Sequence, residues 1–264
     1  MLFIYIMKIF DCFIFNNEVE LLELRLNILN DVVDKFVIVE GNSTFSGKKK
    51  ESSFLKNKDR FEKWNDKIIY EFADIPDCEV PWDREIFSRN YALTLPIFND
   101  DDIIISSDLD EIPNPDAIAQ VNDWITDDAH FTFQMNFYMY YLNNYMTDNW
   151  YGTRVATYKY LKDKTLDGIR ESTEEQSKIT GPIVDGGGWH FSYFGGEEMI
   201  KHKIASFSHT EHNNEQTLSS ISDNVKNNVD LFGRNVSFEV ISIEDSEYPQ
   251  YILDNQEKYS HLIK

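Results

Sequence analysis

Two aspartates, Asp108 and Asp110, stand one residue apart directly after an apolar run that is typical of a buried strand. Side chains along a strand alternate between its faces, so we expect both carboxylates on one face and Leu109 in the core. Unpaired, the carboxylates repel each other, whereas a divalent cation between them lets both stay ionised. Because magnesium-type ions complete their shell with water and phosphate oxygens, the spacing predicts a metal site that holds a diphosphate. The alternative is a solvated turn, which is common in acidic proteins.

The chain as a whole is strongly acidic. Its 264 residues include 25 lysines and arginines against 46 aspartates and glutamates, a formal net charge of −21. Such a chain does not attract nucleic acid or an anionic membrane, so neither is expected as a partner. We see no other obvious way for so acidic a protein to hold a phosphate ligand than through a bound cation.

A sheet edge must position the acidic pair, and the pattern of the chain predicts one. Apolar runs and helical spacing alternate along the first half. The predicted strands cover residues 8–13, 35–40, 67–72 and 102–107, and the predicted helices cover 17–30, 52–64, 84–95 and 115–125. In such sheets, ligands bind beyond the carboxyl ends of the strands.

The second half of the chain is richer in aromatic residues. Strand-like runs cover residues 130–142 and 150–161, a glycine-rich segment covers 181–196, and helical patterns return at 197–206 and 215–229. We expect one α/β domain over residues 1–264, with a mostly parallel central sheet flanked by helices.

We expect neither a membrane-spanning helix nor a secretory signal peptide at the start of the chain. The first apolar run is interrupted by Lys8 and Asp11, too early for a membrane-spanning helix, and it lacks the features of a secretory signal. Two cysteines, Cys12 and Cys78, make no disulfide framework, which fits a reducing compartment. We therefore expect a cytoplasmic location and no integral membrane segment.

Seven short motifs stand in order from about residue 8 to the C-terminus. They are Glu18–Leu26, Val33–Glu40, Thr44–Gly47, Pro81–Glu85 with Arg89, Ser107–Pro113, Gly188–Ser192 and Lys203–His209. Together they resemble glycosyltransferase family 17. The resemblance implies a GT-A fold, a nucleotide-sugar donor such as UDP-N-acetylglucosamine, a manganese or magnesium ion, a glycan acceptor, and inversion at the anomeric carbon. On the same likeness, Asp108 and Asp110 hold the metal on the donor diphosphate.

An inverting transfer needs a carboxylate that takes the proton of the acceptor hydroxyl. We predict Glu198 for this role, because an acid after a glycine turn at a helix start can face the cleft. GT-A galactosyltransferases have a similar Gly-Gly-acid-acid arrangement, which supports the choice by analogy. Glu197 and Asp185 are the other candidates. Alternatively, Glu197 and Glu198 are first-turn acids that complement a helix dipole.

A histidine is the expected third metal ligand, since imidazole suits manganese or zinc better than calcium. The candidates are His190, His209 and His212. We prefer His209, because a late histidine completes the metal site in related GT-A enzymes. Its rival His190 stands between two aromatic residues, which is more typical of a packed core histidine.

Contacts to the nucleotide are predicted at two places besides Asp108. Glu40 and Asn42 follow a buried strand and should lie at the ligand edge of the sheet. Arg84 and Arg89 are the basic residues of an acidic segment and suit phosphate or ribose. The alternative for both arginines is pairing with neighbouring acids.

The aromatic cluster of Trp189, Tyr193 and Phe194 is expected to stack on the acceptor sugar or to pack in the core. Two other functions stay open. A metal-dependent phosphoester hydrolase needs more metal ligands than a transferase, because two-metal sites gather several carboxylates and histidines. A carbohydrate-binding module needs no turnover.

Overall fold

A computed structural model describes residues 6–170, 173, 175–245 and 248–264. The strands are β1 (Ile9–Phe15), β2 (Lys35–Gly41), β3 (Ile68–Ala73), β4 (Ile103–Asp108), β5 (Glu111–Pro113), β6 (Phe131–Met139), β7 (Asn144–Thr157), β8 (Ile183–Ser192) and β9 (Phe238–Val240). The α-helices are α1 (Val19–Leu29), α2 (Ser53–Lys56), α3 (Pro81–Tyr91), α4 (Pro115–Trp124), α5 (Tyr158–Leu161), α6 (Leu166–Arg170), α7 (Glu197–Ser206), α8 (Glu215–Asn227) and α9 (Gln250–Asp254).

The first half of the sheet is parallel. Strands β3, β2, β1 and β4 lie side by side in that order. Both faces are covered, which explains the near-continuous apolar runs. Phe13 and Phe15 pack with α1 on one face, while Phe10 and Cys12 pack with α3 on the other. The four strands predicted for this half are confirmed, with ends that shift by about one or two residues.

The second half of the sheet is largely antiparallel. Strand β7 pairs antiparallel with β4, β6 and β9, and β5 pairs antiparallel with β8, while β6 and β8 are parallel. The α/β class and the flanking helices are thus confirmed, but the expectation of a mostly parallel sheet is wrong for this half. Only residues 140–143 connect β6 to β7, and a connection this short allows only antiparallel pairing.

The second half of the sheet also coils back on itself. Strands β4 and β5 are joined by Leu109 and Asp110 alone, yet they lie four places apart in the order β4-β7-β6-β8-β5. In a flat sheet four spacings would separate them by roughly 19 Å. Three residue steps span at most about 11 Å. Coiling closes this gap and brings β5 beside β7, where the Trp150 indole N–H donates to Glu111 at 2.7 Å.

Strand β8 passes so close to β5 that one of its residues must be glycine. Gly188 has a φ of +139°, and a Cβ there would lie 2.2 Å from the carbonyl oxygen of Ile112. Both the backbone conformation and the contact exclude a side chain. This part of the glycine-rich segment therefore serves strand packing.

Some predicted helices differ from the observed ones. Over residues 52–64, the four-residue α2 is followed by a 3-10 helix at Lys58–Trp64. Helix α7 has the predicted bounds. No helix among the described residues is long and apolar enough to cross a bilayer. Cys12 and Cys78 are free thiols, and the cytoplasmic location expected from the cysteine content stays a prediction.

Candidate active site

A cavity of about 830 Å³ opens at the carboxyl ends of β1, β2 and β4. The last residues of these strands, Phe15, Gly41 and Asp108, all line it. Open α/β sheets bind their ligands at this edge, and the volume lies within the range of roughly 300–1,000 Å³ of small-molecule sites. Asp110 lines the same cavity, so the fold brings both predicted aspartates to it.

The acidic turn from Asp108 to Glu111 is held from beneath by Arg25 of α1. The guanidinium of Arg25 is fully buried and donates to both carboxylate oxygens of Asp11, at 2.6 and 2.8 Å. It also donates to the carbonyl oxygens of Asp108, Leu109 and Glu111, at 2.9, 3.2 and 2.8 Å. One buried side chain therefore fixes the backbone of this turn.

Two arginines bind the Asp108 carboxylate. Arg89 of α3 donates to its Oδ1 at 2.6 Å, and Arg170 of α6 donates to its Oδ2 at 2.8 Å. Burial by itself would raise the pKa of Asp108, but the two guanidinium groups outweigh burial and hold the pKa below its usual range. Asp108 is therefore ionised at neutral pH.

A lysine binds the Asp110 carboxylate. Lys203 of α7 donates to Oδ2 of Asp110 at 2.5 Å, and Nε2 of His190 lies 3.6 Å from the same oxygen. Burial would raise the pKa of Asp110, but Lys203 and then His190 lower it far below the usual range. The His190 ring packs against Phe137 and Trp150, with centroid distances of 4.4 and 4.3 Å. His190 is thus packed among aromatic rings, as expected, and also borders the cavity.

Glu111 anchors Arg170 from the buried side of the turn. Arg170 donates to the two carboxylate oxygens of Glu111 at 2.6 and 3.0 Å, and the Glu111 side chain is fully buried. Glu111 also accepts the backbone N–H of Asp108 at 2.9 Å. Arg170 is therefore positioned by one acid while it reaches another.

The residues that line the cavity are formally neutral, whereas the chain as a whole is acidic. The described residues around it include five acids (Glu18, Glu85, Asp108, Asp110 and Asp167) and five bases (Lys50, Arg89, Arg170, Lys203 and Arg234). The cavity is therefore formally neutral in a chain of net charge −21. This corrects the expectation that the protein has only a bound cation with which to hold a phosphate.

The three candidate proton acceptors lie away from the cavity lining. Glu197 and Glu198 begin α7, and Lys201 binds them at 2.7 and 3.1 Å. The Glu198 side chain is 88% exposed, and Asp185 is exposed near the start of β8. These contacts agree with the interpretation of Glu197 and Glu198 as first-turn acids, and their catalytic role stays a prediction.

His209 lies at the rim of the cavity and is half exposed. Its Nδ1 lies 2.7 Å from a carboxylate oxygen of Glu211, and with His212 the two form the group of potential metal ligands found among the described residues. That group does not include Asp108 or Asp110. The shared metal site of His209 with the acidic turn therefore stays a prediction.

Glu40 lies within β2 and Asn42 directly follows it, but neither residue lines the cavity described here. Glu40 is fully buried, binds Lys50 at 2.7 Å and accepts the backbone N–H of Ser53 at 2.7 Å. Asn42 accepts the backbone N–H of Ile75 at 3.2 Å. Both side chains hold neighbouring loops in place, and their nucleotide contacts stay predictions.

The two arginines predicted to bind the nucleotide have different surroundings. Arg84 does not line the cavity; it donates to the carbonyl oxygens of Phe45, which does line it, and of Cys78, and so joins two loops. Arg89 lines the cavity and binds Asp108, which was the pairing considered as its alternative. Of these two, the fold brings Arg89 to the site.

Sequence reasoning missed three basic residues that contact the acidic turn, namely Arg25, Arg170 and Lys203. Arg25 and Lys203 lie within quoted motifs, but nothing local showed that they contact the acidic turn. Arg170 lies outside those motifs and meets Asp108 across 62 positions of sequence. Only Arg25 had a signal in the sequence. It is a charged residue on the apolar face of the helix that carries Leu22, Leu26 and Leu29, and a charge at such a position indicates a buried partner.

An acidic turn and a neutral cavity at the carboxyl edge of an α/β sheet define a class of proteins that bind small ligands at that edge. Comparison of the sequence with known protein families narrows this class to one family. The chain belongs to glycosyltransferase family 17, because the model of that family matches residues 4–264.

Three curated relatives are named beta-1,4-mannosyl-glycoprotein 4-beta-N-acetylglucosaminyltransferase. The proteins from Rattus norvegicus and Mus musculus are each 22% identical over 285 residues, covering 94% of this chain and 53% of the relative. The Homo sapiens protein is 32% identical over 113 residues, covering 39% of this chain and 21% of the relative. The chain thus spans about half the length of the rat and mouse relatives it matches.

Proposed function

We propose that this chain is a metal-dependent inverting glycosyltransferase with a GT-A fold. Its donor is UDP-N-acetylglucosamine, and its acceptor is a hydroxyl group of a glycan. The observation that carries the proposal is the acidic turn of Asp108 and Asp110 at the carboxyl edge of the sheet, inside a cavity of about 830 Å³. Membership of family 17 and the names of the relatives support the sugar and the reaction.

The donor atoms of the acidic turn fit a manganese or magnesium ion. Two ionised carboxylates from one short turn border the same cavity, and hard divalent ions bind such oxygens and fill their remaining positions with water and phosphate. Asp108 and Asp110 would hold the ion, which would neutralise charge on the departing diphosphate. Arg25 keeps the turn in place for this role.

The acceptor side of the cavity is lined by aromatic side chains. Trp82 is 43% exposed, and its ring meets that of His209 edge to face at 4.8 Å. Tyr193 also lines the cavity, whereas Trp189 and Phe194 pack in the core. An exposed aromatic face suits the apolar face of a pyranose ring, so we place the acceptor sugar against Trp82.

The proton acceptor must lie within hydrogen-bond reach of the acceptor hydroxyl. Besides the acidic turn, the described acids that line the cavity are Glu18, Glu85 and Asp167. We place general-base catalysis in this set. The proposal departs from Glu198, which is the candidate that the glycine turn predicts.

Calorimetry of UDP binding tests the proposed function. We expect UDP to bind in the presence of MnCl2, and Asp110→Asn to weaken that binding by about tenfold or more, because one metal ligand is lost. Asp127→Asn is the matched control, since Asp127 is an exposed aspartate that pairs with Lys159 away from the cavity. Unchanged affinity in Asp110→Asn would contradict the metal site.

Release of UDP from UDP-N-acetylglucosamine separates the three functions. Manganese-dependent release supports the transferase. Cleavage of a simple phosphomonoester supports the hydrolase, and binding without turnover supports the carbohydrate-binding module. Among the described residues, the acidic turn brings two carboxylates to the cavity. The group of His209, Glu211 and His212 does not include either of them. Two-metal sites gather more ligands than this, so the arrangement favours a one-metal transferase.

A further inference from the structure

The two carboxylates proposed to hold the metal are each already bound to a basic side chain of the protein. Arg89 and Arg170 bind Asp108 at 2.6 and 2.8 Å, and Lys203 binds Asp110 at 2.5 Å. The three basic side chains line the same cavity as the carboxylates. A metal ion must therefore compete with charges that the protein itself supplies.

A divalent ion and these cations cannot share the carboxylates without strong repulsion, because like charges interact strongly in a partly buried site. When the ion binds, the basic side chains need another anion within reach. A diphosphate that bridges to the ion brings such an anion to the same place. Arginine suits it through paired N–H donors, and lysine suits it as a point charge.

We propose that Arg89, Arg170 and Lys203 form a diphosphate-binding subsite and exchange partners as the donor binds. In this exchange Asp108 and Asp110 would hold the ion, and the basic side chains would transfer to the phosphate oxygens. The inference rests on the proposed function and adds to it the residues that contact the donor diphosphate directly. It also explains why so acidic a chain has a neutral cavity.

The side chains differ in how far they are free to transfer. Arg170 keeps a second partner, because Glu111 binds it at 2.6 Å, so its guanidinium can change one contact while the other holds. Lys203 binds Asp110 and lies over the ring of Tyr193 at 5.2 Å. Lys203 is held by the Asp110 carboxylate that the metal would take, so it is the better residue to test.

The exchange makes metal and nucleotide binding depend on each other. If the metal ion binds alone, it displaces a basic side chain that then has no diphosphate to bind. If the nucleotide binds alone, its diphosphate must draw a basic side chain away from the carboxylate that holds it. Either ligand relieves the cost for the other, which gives positive coupling between them. Removing the basic residue of an ion pair should therefore strengthen metal binding to the carboxylate. Removing the carboxylate should strengthen nucleotide binding to the basic residue.

Two substitutions test this with opposite expected signs. Lys203→Gln frees Asp110, so we expect Mn²⁺ alone to bind about tenfold tighter and UDP with saturating MnCl2 to bind about tenfold weaker. Asp110→Asn frees Lys203, so UDP in the presence of EDTA should bind about tenfold tighter than it does to the unmodified protein. Calorimetry measures both quantities.

Lys201→Gln is the matched control on the same helix. Lys201 binds the first-turn acids Glu197 and Glu198 and does not line the cavity, so neither affinity should change. Circular dichroism and thermal unfolding check that each variant folds, and Asp110→Asn gives an independent reading if Lys203→Gln does not.

The outcomes separate the inference from the function on which it rests. The opposite shifts in Lys203→Gln, or tighter metal-free UDP binding in Asp110→Asn, support the partner exchange. If the unmodified protein binds UDP with MnCl2 but the folded variants show neither shift, the exchange is wrong and the proposed function stands. If the unmodified protein binds no UDP with MnCl2, both are overturned.

Discussion

Arg25 offers the most direct test of how the acidic turn is built. Replacing Arg25 with Met removes the donor to three carbonyl oxygens of the turn and leaves the Asp11 carboxylate as a buried charge without its partner. Both side chains of this ion pair are fully buried, so water cannot take the place of the guanidinium. We expect the variant to be strongly destabilised and its turn to lose its fixed geometry.

The magnitude follows from the contacts. Removing one partner of a buried ion pair costs about 3–5 kcal/mol. Each of the three carbonyl groups that lose a donor adds about 1 kcal/mol. Without relaxation the loss is roughly 6–8 kcal/mol, which approaches the entire stability of a typical domain of about 5–15 kcal/mol.

A second substitution separates the buried charge from the lost hydrogen bonds. Adding Asp11→Leu to Arg25→Met removes the unpaired charge, so the double variant should regain about 3 kcal/mol relative to Arg25→Met. Arg60→Met is the control. Arg60 is 41% exposed and binds Glu23 of α1, the helix that carries Arg25, at the surface. That control should stay within about 1 kcal/mol of the unmodified protein.

Urea unfolding followed by circular dichroism measures these differences, and calorimetry with UDP and MnCl2 reports on the turn. We expect Arg25→Met to lower the unfolding midpoint far more than Arg60→Met, and to weaken UDP binding wherever the variant is still folded. If Arg25→Met and Arg60→Met unfold at the same midpoint, then Arg25 does not hold the turn.

Three further expectations concern other parts of the molecule. In UDP release from UDP-N-acetylglucosamine, Glu198→Gln should keep near-normal turnover because Glu198 is 88% exposed. Glu85→Gln in the cavity should lower turnover about a hundredfold or more if Glu85 is the proton acceptor, whereas a loss of turnover in Glu198→Gln would restore Glu198 to that role. Burial would raise the pKa of Asp230, but its bound arginine outweighs burial and holds the pKa below the usual range. The stability it contributes is therefore present above about pH 4 and lost as pH falls further, so the unfolding midpoints of Asp230→Asn and the unmodified protein should differ at neutral pH and converge as the pH falls below about 4. Gly188→Ala should lower the melting temperature by several degrees, since its Cβ would meet the Ile112 carbonyl at 2.2 Å; an unchanged melting temperature would show that β5 can move away.

The parts of the site that sequence predicts are those set by local pattern. Apolar runs identify β1, β2 and β4, and parallel strands end at one edge, so the location of Asp108 and Asp110 follows from their position after β4. Leu109 is buried, as strand alternation predicts. The relative direction of the two carboxylates does not follow from alternation, because Asp110 belongs to the turn and each carboxylate meets different cations.

The parts that sequence does not predict depend on distant contacts. Lys203 and Asp110 are separated by 93 positions and meet because the second half of the sheet coils. Formal net charge is a sum over the chain and carries no information about which charges gather in one cavity. The glycine turn before Glu198 correctly marks a helix start, but it does not show that the first-turn acids face Lys201 and the solvent.

The two-residue connection between β4 and β5 limits which changes of sequence length the protein can accept. An extra residue beside Leu109 would shift β5 against β8 by one position, and a one-residue slip turns every side chain of a strand to its opposite face. Glu111 would then point away from Arg170 and from the Trp150 indole. In family members without the proposed activity, residues 108 and 110 would be free to change, but an insertion or deletion between β4 and β5 would still disturb the pairing of β5, so the spacing should be kept longer than the aspartates.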